Sequence, residues 1–341
     1  MESRGASMSE RILVVGPAWV GDMVMAQSLF LTLADLPGTE TDVVAPAWSV
    51  SLTRRMPEVC DAIELPVGHG QLGWSARRHL GNSLRKKAYS RAIVLPRSFK
   101  AALVPLHARV PVRTGYLGEM RFGLLNDIRP LDRNVLTRNV ERYVALGLPA
   151  DASAPPAVPQ PSLQTDSDNQ ARLLARLDLN QNRPVLAMMP GAEYGPAKQW
   201  PPGSFAAVAR EMGGRGYQVW VLGSDRDAQA GREIAEGSEG AAINLCGRTR
   251  LLDAVDLLGL AEQAVANDSG LMHVAAAVGC RVVALYGSTS PAFAPPLTDR
   301  GQTLYLGLDC SPCRQRECPL GHLRCLTELT PQQVVDALVA V

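Results

Sequence analysis

Two stretches of the chain carry the residue types of a phosphate-binding site. Ala264–Val278 reads AVANDSGLMHVAAAV: an apolar strand pattern ends at Asn267, and an apolar helix pattern starts directly after it. Asp268 and Ser269 are short polar residues suited to cap the first turn, and Gly270 removes a side chain where a ligand would approach the backbone. His273 lies one turn further in. The unpaired N–H groups and positive end of such a helix favour a diphosphate. A capped helix with an ordinary histidine fits the same letters. Met189–Pro202, MPGAEYGPAKQWPP, follows another strand pattern. Gly191, Gly195 and the prolines fix a loop with exposed backbone donors; Glu193 and Lys198 are its charged residues, and Lys198 is its only cation. Lys198 would neutralise a phosphate, or else sit solvated on a surface turn.

A carboxylate and a set of cations suggest the other half of a reaction. Gly16–Asp22, GPAWVGD, follows the first strand pattern. Asp22 at the start of the next helix would accept a proton from an attacking hydroxyl, the alternative being a plain helix cap. Leu95–Lys100, LPRSFK, contributes Arg97, Ser98 and Lys100, and Gly115–Asp127, GYLGEMRFGLLND, contributes Arg121. These four are candidates to hold an acceptor's phosphates. They lie in or beside a segment, Leu65 to Gly118, that contains no Asp or Glu but ten Arg and Lys. A field of one sign attracts an anionic partner: nucleic acid, an anionic lipid surface and a phosphorylated glycolipid all fit, as does a merely solvated basic face.

Seven cysteines occur, and Cys310, Cys313, Cys318 and Cys325 fall in the spacing C-x2-C-x4-C-x6-C with His322 among them. Such a set is able to hold a structural zinc, although the paired C-x2-C…C-x2-C pattern is absent. Reduced thiols packing a loop, or redox-labile pairs, are the alternatives. No G-x-G-x-x-G follows the first strand and no G-x-x-x-x-G-K-[ST] occurs, which disfavours dinucleotide dehydrogenases and P-loop enzymes. The D-x-D tripeptides Asp166–Asp168 and Asp225–Asp227 stand at a linker edge and at a helix start, and are read as structural.

The elements that must position these residues alternate strand and helix. Strands are expected at Arg11–Val15, Thr41–Ala45, Ala62–Leu65, Ala92–Leu95 and Val110–Thr114, with helices at Asp22–Leu36 and Arg133–Leu146. The alternation resumes at Pro184–Met189, Gln218–Leu222, Ala241–Leu245, Ala264–Asn267 and Arg281–Tyr286. Short apolar strands separated by helices imply parallel sheets covered on both faces, an α/β class. Pro149–Gln164 holds five prolines and reads as a linker. The expected plan is an amino-terminal domain over 1–150, a linker over 151–165 and a carboxy-terminal domain over 166–341, the final helix packing back on the first domain as an option. Two doubly wound domains joined this way would form a cleft, ligands binding outside the strand ends. The charge divides likewise: residues 1–150 hold 19 Lys/Arg against 13 Asp/Glu, and the remainder holds 15 against 20. No apolar run reaches the roughly 18–20 residues of a membrane span. The first ten residues lack an apolar signal core, and Met8 is an alternative start. A cytoplasmic location is expected.

Taken in order, RILVVGPAWVGDMVMAQSL, LPRSFKAALVP, GYLGEMRFGLLND, MPGAEYGPAKQWP, NDSGLMHVAAAVGCRVVALYGSTSP and CSPCRQRECPLGHLRC resemble the heptosyltransferases of glycosyltransferase family 9, which build the inner core of lipopolysaccharide. The similarity runs nearly end to end. GPAWVGDMVM, GAEYGPAKQWP and the cysteine cluster side with the members that add the second heptose rather than the first. The resemblance implies a GT-B fold, an ADP-heptose donor, no required cofactor, and as acceptor the first heptose of the Kdo-lipid A core, an anionic glycolipid met at the cytoplasmic face of the inner membrane. Nucleic acid is then no partner. It also implies inversion in a single displacement. Asp22 matches the family's proposed general base, Lys198 a donor-phosphate contact, with Gly191 and Glu193 on the same loop, and Asp268, Ser269, Gly270 and His273 the D-[ST]-G-x-x-H donor motif. Where relatives often carry Asn in the LPxSFK segment, this chain has Arg97. A nucleotide-sugar epimerase of the same architecture and a non-catalytic nucleotide-sugar-binding protein are the rival readings.

Overall fold

The computed structural model describes residues 10–68 and 70–340. The expectations of an alternative start at Met8 and of no export signal concern residues that, apart from Glu10, lie outside that range. The chain divides into two compact units, one ending at Pro161 and the other beginning at Ser162.

The first unit is built on β1 (Glu10–Val15), β2 (Thr39–Pro46), β3 (Val59–Leu65), β4 (Arg91–Val94), β5 (Val112–Tyr116) and β6 (Asp127–Arg129). They form one parallel sheet in the order β3-β2-β1-β4-β5-β6. Its longer helices are α1 (Val20–Ala34), α2 (Trp74–Leu84) and α3 (Asn139–Gly147). The second unit is built on β7 (Val185–Met189), β8 (Gln218–Val221), β9 (Ala242–Asn244), β10 (Gln263–Asn267), β11 (Arg281–Tyr286) and β12 (Gly301–Tyr305), again parallel, in the order β12-β11-β10-β7-β8-β9. Its longer helices are α4 (Ser167–Leu177), α5 (Pro202–Gly214), α6 (Ala228–Gly237), α7 (Leu251–Leu258), α8 (Gly270–Ala277) and α9 (Pro331–Val339). Each sheet has the doubly wound order 3-2-1-4-5-6 when its strands are counted from the unit's own first strand. The winding therefore reverses between β1 and β4, and between β7 and β10. At those points the loops leaving neighbouring carboxyl ends part to opposite faces and leave a crevice.

Central strands are apolar on both faces because helices cover both. Val14 is flanked by Val43 and Ile93, and Val265 by Met188 and Val283, all of them buried. In the first unit Leu13, Val44, Ala92 and Val94 pack with Leu84 and Val104. In the second, Leu186, Val219, Val265 and Val283 pack with Phe205 and Met212 of α5 and with Val334 and Leu338 of α9.

The structure departs from the sequence reading in several places. Helix α1 begins at Val20 with Trp19 at its cap, so Asp22 is the third helical residue rather than the cap. The expected helix over Arg133–Leu146 forms only from Asn139, where Arg138 and Glu141 close a capping box. The strand expected at Val110–Thr114 lies two residues later, since Pro111 has no N–H to give a ladder and Val110 donates to Pro105 O instead. Strands β6 (DIR) and β12 (GQTLY) were not anticipated: both are edge strands without an apolar run. The two D-x-D segments are structural, Asp166 capping α4 through Asn169 N and Asp227 accepting from Ser224. Ser28 Oγ donates to Pro159 O and Leu163 N donates to Ala277 O, so the linker is tied to one unit before Pro161 and to the other just after it. The final helix, for which a return to the first domain was an option, buries its apolar side in the second unit's own core.

Trp200 shows how that core holds a functional loop. Its ring is 1 % exposed, meets Phe205 edge-on at 5.0 Å between centroids, and donates from Nε1 to Leu329 O at 2.9 Å. Trp200→Phe keeps most of the packing and leaves that carbonyl unpaired. It is expected to lower the unfolding free energy by about 1–3 kcal/mol, read as a shift of the urea midpoint at constant slope.

Candidate functional site

In the second unit the winding reversal brings together the loop after β7 and the loop after β10. Asn267, the last residue of β10, joins them: its Oδ1 accepts from Trp200 N at 3.0 Å and its Nδ2 donates to Pro190 O at 2.6 Å. Lys198 closes a short 3-10 turn, Pro196–Lys198, and its Nζ lies 2.7 Å from Asp268 Oδ2, with side chains 13 % and 12 % exposed. Thr289 Oγ1 donates to the same Asp268 oxygen at 2.6 Å. The carboxylate is thereby engaged in holding the cation, and a half-desolvated pair of this kind is stronger than a surface one. Lys198 Nζ also stands 5.3 Å from the centre of the Tyr194 ring, which Arg316 approaches to 5.5 Å.

Ser269 caps α8, but its hydroxyl makes no capping bond and is buried without a hydrogen-bond partner. Gly270 opens the helix. An anion here would meet first-turn N–H donors, an uncommitted hydroxyl and the Lys198 ammonium. His273 is buried, and burial pushes its pKa down to about 4, with the Asp268 charge opposing and the Lys198 charge adding to the fall. It therefore works at neutral pH as an uncharged imidazole and adds hydrogen bonding, not charge. Gly191 is required by packing: a Cβ there would come 2.5 Å from Asp227 Oδ1. Glu193 is turned to Arg226 at 2.8 Å in an exposed pair, away from the Lys198–Asp268 contact.

The four clustered cysteines belong to the strap that runs from β12 to the last helix. All seven cysteines are free thiols. Cys310, Cys313, Cys318 and Cys325 line one cavity of about 20 Å³ beside Ala197 and Ser288. Backbone N–H groups of Leu323, Leu320, His322 and Gly321 hold the Cys318 thiol below its usual range, whereas burial raises that of Cys325. Among the described residues, no group of three or more His, Cys, Asp or Glu side chains is arranged to hold a metal ion. The four thiols are thus gathered around one cavity without being arranged as a metal-holding group. The strap's visible role is to brace the Lys198 loop: Tyr194 OH donates to Arg314 O at 2.7 Å and Ala197 N to Arg316 O at 3.0 Å. A Cβ on Gly195 would come 2.5 Å from Arg316 O, so only glycine lets the strap approach this closely.

In the first unit the reversal lies between β1 and β4; helix α1 after β1 carries Asp22, and the loop after β4 carries Arg97. Asp22 is partly exposed in the first turn of α1, where the helix dipole favours a carboxylate. Asn139 Nδ2 donates to Asp22 Oδ1 at 2.9 Å and to Tyr143 OH at 3.1 Å. Burial, and then the Asp22 charge, push the Tyr143 phenol well above its usual range, so it stays a neutral hydroxyl beside the carboxylate. The Asp22 contacts come from α3, 117 residues away in sequence, and no local signal announces them. Arg97 is exposed and donates to Leu117 O at 3.1 Å; Lys100 donates to Gly70 O at 2.8 Å; Ser98 lies between them, partly exposed. Arg121 does not join this group. It is fully buried, its guanidinium donates to Pro96 O at 2.6 Å and to Tyr116 O, and burial pulls its pKa down to about 10. A guanidinium committed to backbone carbonyls inside the protein shapes the loop and offers nothing to an acceptor, contrary to the sequence expectation.

Comparison with known proteins is in keeping with these arrangements. Residues 77–324 match the model of glycosyltransferase family 9 (heptosyltransferase). The lipopolysaccharide heptosyltransferase 2 of Salmonella typhimurium is 46 % identical over 338 residues, covering 96 % of this chain and 97 % of its own. The solved ADP-heptose LPS heptosyltransferase II of Escherichia coli superposes with a TM-score of 0.84 at 43 % identity, covering 97 % of this chain and 98 % of its own. A family 9 glycosyl transferase from Veillonella parvula reaches a TM-score of 0.86 at 19 % identity, covering 98 % of this chain and 97 % of its own, which speaks for the fold alone.

The buried imidazole gives a stability signature. Held near 4 in the folded chain and near its ordinary value when unfolded, His273 takes up a proton on unfolding at pH values between the two. Stability therefore falls as pH drops through that window. Measured against His273→Gln, the unfolding free energy of the parent should decline by about 3 kcal/mol from neutrality to about pH 4; parallel curves would mean that the imidazole titrates freely.

Proposed function

The chain belongs to glycosyltransferase family 9, the heptosyltransferases, and from that premise we propose that it transfers L-glycero-D-manno-heptose from ADP-heptose to the first heptose of the lipopolysaccharide inner core. Its fold is GT-B, two doubly wound α/β units. The acceptor is an anionic glycolipid anchored in the inner membrane, so the enzyme works as a peripheral protein at the cytoplasmic face. Among the described residues no helix is long and apolar enough to cross a membrane.

The observation that carries the donor half is the Lys198–Asp268 pair at the opening of α8. The diphosphate of the donor sits against the α8 first turn, Ser269 Oγ and Lys198, with Asp268 and Thr289 fixing the ammonium and neutral His273 completing the polar lining. Gly270 lets the phosphate approach the backbone. Gly191 shapes the loop, and Glu193 acts on the donor side through the same loop. The reaction is a single inverting displacement. The acceptor hydroxyl oxygen bonds to the anomeric carbon as the bond from that carbon to the diphosphate oxygen breaks, and the hydroxyl proton passes to Asp22. Charge that develops on the departing diphosphate is met by Lys198 and the helix dipole, so the residues present supply the electrostatics without a metal. Asn139 and Tyr143 keep the Asp22 carboxylate oriented and ionised for that proton. Arg97, Ser98 and Lys100 bind acceptor phosphates.

Three measurements test this reading. With ADP-heptose and a one-heptose core as substrates, the product should be heavier by one heptose, and a zero-heptose core should remain unchanged; loss of heptose to water alone or epimerised donor would assign a rival activity. Asp22→Asn is expected to lower kcat at least about a hundredfold while ADP binds as before, and equal loss of both would make Asp22 structural. Lys198→Ala should weaken ADP binding by about ten- to a hundredfold; unchanged affinity in calorimetry would remove Lys198 from the donor site.

A further inference from the structure

The loop after β5 inverts the usual assignment of inside and outside. In Leu117–Gly123 the arginine is inside and the apolar residues are out: Arg121 is fully buried, while Met120 and Phe122 on either side of it are 85 % and 69 % exposed. Single exposed apolar residues are ordinary, but this arrangement is held in place. Arg121 donates to Pro96 O and Ser98 O, Phe99 N donates to Glu119 Oε2 at 2.8 Å, and Glu119 N donates to Arg97 O at 3.2 Å. Gly118 packs so tightly that a Cβ would fall 2.0 Å from Arg97 O. The loop cannot roll over to bury its tips without giving up these bonds.

More apolar surface lies on the loop joined to it through Lys100, which donates to Gly70 O. There Leu72 is 51 % and Trp74 47 % exposed, and Leu117 on the first loop is 40 % exposed. These loops leave β3, β4 and β5 at the same carboxyl edge of one parallel sheet; β4 and β5 are neighbours, β3 is the sheet's far edge strand, and the Lys100–Gly70 bond joins its loop to theirs. The surrounding charge is of one sign. Arg97 and Lys100 stand between the loops, and Arg78 and Arg85 act on His107, against which the Trp74 ring rests at 5.9 Å. Glu119, the acid within the Leu117–Gly123 loop, is engaged by the Phe99 N–H.

We infer that the Met120/Phe122 loop, with Leu72 and Trp74, is the surface by which this chain docks on an anionic phospholipid membrane. Apolar tips enter the headgroup boundary, Trp74 takes the interfacial position favoured by indole rings, and the surrounding Arg and Lys meet lipid phosphates. The inference rests on the lipid-linked acceptor proposed above and adds the surface that delivers the enzyme to it. Arg97 and Lys100 then lie where the membrane edge and the acceptor's phosphates meet.

The test uses the full chain with sedimenting vesicles of phosphatidylcholine, alone or with about one-third phosphatidylglycerol. The parent should pellet with the anionic vesicles and only weakly with the neutral ones. Met120→Ser/Phe122→Ser should bind the anionic vesicles at least about tenfold more weakly while its unfolding midpoint and ADP affinity stay the same. Undiminished vesicle binding by this variant would overturn the inference, as would a parent dimer that the variant abolishes, since the surface would then cover a second copy. Activity separates this from the transferase reading. The variant should match the parent on a deacylated, water-soluble one-heptose core and lag behind it on the intact acceptor in vesicles. Equal loss on both acceptors would place the loop in the acceptor site and sink the docking surface. A parent inactive on either acceptor would overturn the transferase reading, while the vesicle result would still decide the docking surface.

Discussion

A parallel doubly wound sheet imposes one constraint from which the rest follows: all strands end at the same edge, and the winding reverses beside the first strand. In the second unit the reversal places the Lys198 loop next to the start of α8, and Asn267 fastens one to the other through a backbone N–H and a carbonyl. The Lys198–Asp268 pair forms across that junction. A lone ammonium on a loop would be mobile and strongly hydrated. Here the carboxylate, Thr289 and the Tyr194 ring keep it in one place before any anion arrives, so less ordering remains to be done on binding. His273 belongs to the same economy of charge: buried and neutral, it lines the site without adding a second cation to the desolvation cost.

The first unit uses the same topology for a different end. The loop after β1 carries a carboxylate at the start of a helix, and the loop after β4 carries cations. Asp22 is oriented by α3, which packs on α1. For the base role proposed for it, Asp22 must be ionised and its lone pair must point where the proton appears; a helix start helps with the first requirement and the Asn139 amide with the second.

The alternation of apolar runs was sufficient to read the class and both sheets' central strands, because strands buried on both faces leave an unmistakable composition. Two of the four edge strands were not legible: β6 and β12 carry no apolar run, and their neighbours rather than their own side chains make them strands. Asp22, Lys198 and the Asp268–His273 segment stand out in the sequence as candidates because they follow strand patterns. Their partners do not, since Asn139 and Tyr143 reach Asp22, and Thr289 and Arg316 reach the Lys198 loop, only through tertiary packing within each unit. Arg121 misled for a related reason. Its neighbours Met120 and Phe122 predict burial and its own charge predicts exposure, yet the backbone carbonyls around it reverse both.

The cysteine strap braces the Lys198 loop through its own main-chain oxygens: the carbonyls of Arg314 and Arg316 receive Tyr194 and Ala197. A peptide oxygen is the same whatever side chain hangs beside it. Drift in the strap's amino acids is therefore compatible with an unaltered Lys198 loop, whereas an insertion or deletion of even one residue would move both acceptors out of reach. In this part of the molecule, evolution is freer to change letters than to change length.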